Sequence, residues 1–130
     1  MSDFQTWLSE WADEIEQVQA YTKTDMPTEV HLIQEDISRA TKDYPRVGAM
    51  LAQAEKMLIT SRASETMDVR KEFPDLTANE RKALVEGRLA DIILVRDTLK
   101  TTARALTQRH FALMSQRAFE REALRMAGHE

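Results

Sequence analysis

The stretch VEGRLADIILVRDTLKTTARALTQRHFAL, residues 85–113, sets a large aliphatic side chain at every seventh position: Val85, Ile92, Leu99, Leu106 and Leu113. A seven-residue apolar repeat belongs to a helix, because two turns return a side chain to nearly the same face. No proline occurs between Thr77 and Glu130, so the pattern predicts one helix over about 77–127, roughly 75 Å long. A helix of that length in a chain of 130 residues has to lie along other helices. Its other seam positions are mixed: Leu89 and Ala103 alternate with Arg96, His110 and Arg117. A uniform two-stranded coiled coil would carry a cleaner second stripe, so the repeat reads as the seam of a bundle.

Upstream the pattern persists. Ser2 and Gln5 fit a capping box for a first helix over about 2–21. Phe4, Leu8, Trp11, Ile15 and Val18 form its stripe, widened by Trp7, and Pro27 closes the segment. A second helix over about 28–44 carries Val30, Ile33, Ile37, Ala40 and Tyr44. Pro45 is expected to kink or restart it, giving a third segment over about 46–66 with Val47, Leu51, Ala54 and Leu58. Phe73-Pro74-Asp75-Leu76 reads as a loop, and Thr77 with Glu80 forms a second capping box that starts the long helix. Gly87 costs about 1 kcal/mol against alanine inside a helix and suggests close approach of a neighbour. The predicted fold is all-α: one domain, an antiparallel helical hairpin with the N-terminal helix as third member of a bundle.

Composition bounds the chemistry. With 31% charged and 42% hydrophobic residues, three glycines and three prolines, the chain suits amphipathic helices rather than a turn-rich β fold. The absence of cysteine excludes disulfides and thiol chemistry. No apolar run reaches membrane-spanning length and the N-terminus lacks signal-peptide character, so a cytoplasmic protein without membrane contact is expected. No phosphate-binding glycine loop, nucleophile elbow or zinc-protease motif is present. His31 and Glu35 share a helix face but supply only two ligands. Paired acids such as Asp13–Glu14 diverge by about 100° on a helix. The reading is a non-enzyme with no cofactor, no metal and no small-molecule substrate.

Charge is distributed unevenly. Residues 1–37 carry nine acids against Lys23 alone, whereas residues 98–119 carry Lys100, Arg104, Arg109 and Arg117 with no acid. Arg96, Lys100 and Arg104 form one basic ridge, and Arg117, Arg121 and Arg125 another. Complementary pairing with the acidic N-terminal segment is the main expectation for these ridges. The alternative is a nucleic-acid track on the same six residues, which the net charge of −4 disfavours. Phe4, Trp7 and Trp11 pack by default into the chain's own bundle; otherwise they are, with His110, Phe111 and Phe119, the candidate partner or oligomer surface, because aromatic anchors dominate interfaces.

The stretch Tyr44–Ala54 (YPRVGAMLAQA), the loop and capping box at Phe73–Glu80 and the arginine-spaced helix Arg96–Arg117 resemble small all-helical proteins of bacteriophages and prophages. That resemblance implies an accessory factor in DNA metabolism or an inhibitor of a host system, working by macromolecular binding. From the sequence, then, the expected protein is a helical adaptor or inhibitor that binds another protein and self-associates, most simply as a two-fold dimer.

Overall fold

The computed structural model describes residues 3–128, and within them four helices and no strand. Helix α1 spans Asp3–Thr22, α2 Val30–Glu72, α3 Ala78–Arg88 and α4 Ala90–Ala127. The two long helices, α2 and α4, pack antiparallel as the hairpin, with shorter α1 and α3 laid against them. The expected capping box at Ser2 lies outside the described residues, as does His129.

The heptad residues form the inner face. Val85 and Ile92 are buried, and Leu99, Leu106 and Leu113 have no exposed area at all. Three apolar clusters run along the bundle. Phe4, Leu58, Val69, Val85, Leu89 and Ile92 fill the end near α3. Ile15, Val18, Tyr21, Val47, Met50, Leu99 and Leu106 fill the middle. Ile33, Ile37 and Leu113 close the far end.

Helix α2 departs from its expected form. It runs unbroken through Pro45 for 43 residues and reaches Glu72, rather than dividing into segments 28–44 and 46–66. Proline removes one helical hydrogen bond, here to the Thr41 carbonyl, at a cost of about 3 kcal/mol. Thr41, Tyr44 and Pro45 all lie on the exposed face, where water can reach the released carbonyl. Ala40, Asp43, Val47 and Met50, buried on the opposite face, hold the axis on both sides. The stripe also turns inward one residue earlier than expected: Asp43 is buried and Tyr44 points to solvent. Arg39 and Arg46 flank the Asp43 carboxylate at 3.7 and 3.3 Å, and Arg46 reaches on to Glu14 of α1.

Where the apolar pattern of α2 fades, across Ser61–Glu65, polar links replace it. Arg62 forks onto Glu86 of α3 at 2.9 and 3.2 Å. Arg88 clasps Glu65 and Glu72 at 3.2 and 2.8 Å.

The expected single helix over 77–127 is two helices. The capping box forms as read, with Glu80 N–H donating to Thr77 Oγ1 at 3.2 Å and Thr77 N–H to Glu80 Oε1 at 3.1 Å. Regular helix then lapses at Leu89, whose φ of −99° and ψ of 8° leave the α region. Its N–H is shared between the Val85 and Glu86 carbonyls, and its side chain is buried against α1 and α2. Gly87 does not mark close approach: a Cβ built there meets nothing within 4 Å. It weakens the helix two residues before the break.

Candidate functional site

The loop between α1 and α2 is held by one arginine. Leu106 and Leu113 face the core of α4, and position 109 falls between them on the same side, so Arg109 is carried inward and its side chain is 5% exposed. Its Nη2 and Nε donate to the two Asp36 carboxylate oxygens at 2.7 and 3.1 Å. The remaining donors reach the Thr24 and Asp25 carbonyls at 2.7 and 3.2 Å. Gln116 Nε2 adds a bond to the Pro27 carbonyl at 2.8 Å. A charge this buried is tolerated because each of its three nitrogens finds an acceptor and a counter-ion is present.

Tyr21 completes the cluster. Its hydroxyl donates to the Asp36 carboxylate, while its ring lies under Arg39 at 4.1 Å and Arg109 at 4.7 Å. Burial, reinforced by the adjacent Asp36, pushes the phenol up to about 12. Burial also acts to raise the Asp36 carboxyl, but hydrogen bonds from Arg109 and Tyr21 and the charges of Arg109 and Arg39 overcome it and hold it below the ordinary value of 3.8. The Arg109–Asp36 pair was legible in principle, since a charged residue in the 106–109–113 step faces the seam. It was not among the candidate residues.

Past Leu113 and Arg117, α4 loses its cover. Residues 121–128 are exposed on every side. Phe111 and Phe119 are 74% and 72% exposed, and Leu124 and Met126 follow. Ala112, Phe119 and Met126 are spaced by seven and lie on one face, with Phe111 beside it. At the start of α2, Val30 and Leu32 are also exposed.

The other candidate surface residues divide. Phe4 belongs to the core and not to a partner surface: it is 5% exposed and packs among Leu58, Val69, Val85 and Leu89, because α1 lies with its stripe on the hairpin. Trp7 and Trp11 are half-buried against the core, and the Trp7 indole donates to Gln53 at 2.6 Å. His110 is half-buried beside a crevice of about 300 Å³ with Thr41, Tyr44, Pro45 and Leu106.

Among the described residues the basic ridges pair with no acid of the N-terminal segment, contrary to the main expectation for them. Arg96 pairs with Asp97 at 3.0 Å, Lys100 approaches Glu55 at 4.0 Å, and Arg125 pairs with Glu122 at 2.7 Å. Arg117 bonds the Gln34 amide oxygen at 3.1 Å. Arg104 and Arg121 have no partner among the described residues. Complementarity between the two segments is instead concentrated in Arg109–Asp36.

Nor does any described group of three or more His, Asp or Glu side chains converge to hold a metal ion. His31 lies 3.5 Å from Glu29 on the exposed start of α2. None of the described helices is long and apolar enough to cross a membrane. The chain matches no protein-family model, no curated protein and no solved structure.

Proposed function

We propose that the protein is a non-enzymatic helical interaction protein, an adaptor or inhibitor of the phage accessory type, that self-associates and binds another macromolecule through the far end of α4. The observation that carries this reading is the uncovered amphipathic end of that helix, with Phe111 exposed beside the last core layer and Phe119, Leu124 and Met126 exposed beyond it. Large exposed aromatic and methionine side chains on a rigid helix are the side chains that anchor helix-in-groove contacts. A two-fold pairing of two such ends covers the same face on both copies.

Sedimentation velocity across a wide concentration range tests self-association. A concentration-dependent dimer is expected, and Phe119→Ser with Met126→Ser should weaken it about tenfold or more. A monomer mass at all concentrations refutes this arm. Phe119 and Met126 are 72% and 62% exposed, so at concentrations where both proteins are monomeric the double variant should melt with the wild type.

A second reading places a nucleic-acid backbone on Arg96, Lys100, Arg104, Arg117, Arg121 and Arg125. Unpartnered Arg104 and Arg121 favour it, and the local acids on Arg96 and Arg125 weigh against it. It requires binding that falls steeply with salt. Absence of binding to single- and double-stranded DNA at about 50 mM salt eliminates it.

A further inference from the structure

On the opposite half of the hairpin from the exposed end of α4, the last turns of α2 and the first turns of α3 enclose a cleft of about 710 Å³. Its walls are Arg62, Thr66 and Arg70, spaced by four along α2, and Arg81, Lys82 and Glu86 of α3. Ala78 and Val85 add apolar surface. Four cations therefore meet one acid in a chain that is acidic overall. Four carboxylates of the surrounding segments are already engaged. Glu86 is taken by Arg62, Glu65 and Glu72 by Arg88, and Glu80 by the Thr77 cap. Arg70 and Lys82 have no partner among the described residues, and Arg81 reaches only the Pro74 carbonyl at 3.4 Å.

Arg70, Arg81 and Lys82 share one concavity with no counter-charge among the described residues, and like charges so placed repel one another. A bound anion removes the repulsion. We propose that this cleft is a binding site for a phosphate chain, a di- or triphosphate group, whether free or as the tail of a nucleotide. Arginine forks match phosphate oxygens in pairs, and a lysine adds a mobile point charge. No aromatic side chain lines the cleft, so there is no platform on which a base could stack. The phosphates alone are recognised, and the cleft volume is of the size that small ligands occupy.

The test is thermal melting and titration calorimetry of the full chain in low-salt buffer without divalent metal, using sodium tripolyphosphate and ATP as probes. Both should raise Tm by roughly 5 °C at saturating concentration, with affinities within about threefold of each other, and the effect should fade with added salt. Arg70→Glu with Lys82→Glu should lower affinity at least about tenfold, while Lys23→Glu, a charge change on the α1–α2 loop, should leave it intact. Arg70→Gln with Lys82→Gln serves if the charge-reversed variant fails to fold. No Tm shift with either probe overturns the proposal, as does a shift that survives loss of both cations. Binding of a 20-nucleotide single strand at least about tenfold tighter than tripolyphosphate also overturns it, making the cleft part of a nucleic-acid backbone track.

Discussion

At the scale of single residues, Arg109 concentrates more structural consequence than any other charged side chain in the fold. It joins α4 to Asp36 of α2 and to the backbone of the α1–α2 loop, and it stacks over Tyr21 of α1. Arg109→Ala strips Asp36 of its hydrogen-bonded counter-ion in a site from which water is largely excluded, leaving only the charge of Arg39 and the Tyr21 hydroxyl. The expected loss is about 3–5 kcal/mol, read as a lower midpoint in urea unfolding. A midpoint within error of wild type would show the cluster to be hydrated. The same pair sets an acid dependence. The Asp36 carboxyl is held below 3.8 in the folded chain, so the folded state binds its proton less readily than the unfolded state does. Its stabilisation is complete above about pH 5 and is lost as pH falls through and below the ordinary carboxylate range. Asp36→Asn should therefore flatten the fall in urea midpoint between about pH 5 and pH 3, and an unchanged slope would assign that fall to other carboxylates. Residue identity made the cluster hard to see in the sequence. Arg109 lies on the core side of α4 by periodicity, yet an arginine there reads equally well as a snorkelling edge residue until its acceptors are located.

At the scale of elements, the two ends of α3 are governed by opposite local chemistry. Its start is secured by the reciprocal Thr77–Glu80 bonds, so Thr77→Ala should lower stability by about 0.5–2 kcal/mol. Its end frays into the Leu89 break, and Gly87 has negative φ and open space where a methyl would sit. Gly87→Ala should then raise stability by about 0.5–1 kcal/mol. Calorimetric melting of both variants checks the pair, and a destabilising Gly87→Ala would mean that the break needs glycine. The capping box was legible because its four residues are local. The break was not, because it depends on where Leu89 finds its pocket among α1 and α2. Pro45 teaches the converse. Local rules kink or restart a helix there, whereas core contacts on both sides of it carry α2 through as one helix.

At the scale of the whole molecule, Leu99 and Leu106 lie in the middle core cluster, where α1, α2 and α4 meet. Each is without exposed area. Leu99→Ala and Leu106→Ala should each lose about 2–5 kcal/mol, measured by urea unfolding, and near-wild-type melting of the double variant would displace them from the core. The apolar layers end at Leu113 with Ile33 and Ile37, while α4 continues to Ala127. That mismatch of lengths, with α2 beginning only at Val30, is what leaves Phe119 and Met126 outside. The sequence showed apolar residues at this end needing cover, and it could not say whether α1 would provide it.

What the amino-acid sequence determined by itself is the all-α class, the antiparallel hairpin and the cap at Thr77, because heptad spacing and capping chemistry act over a few residues. Tertiary structure alone decided that α2 would pass Pro45 and that the long C-terminal helix would break at Leu89. It also buried Phe4, left Phe119 bare, and gathered Arg62, Arg70, Arg81 and Lys82 around one cleft. Each of these depends on which residues, distant in the chain, meet when helices of unequal length pack. Periodicity places a side chain on a face, but only packing determines what that face meets.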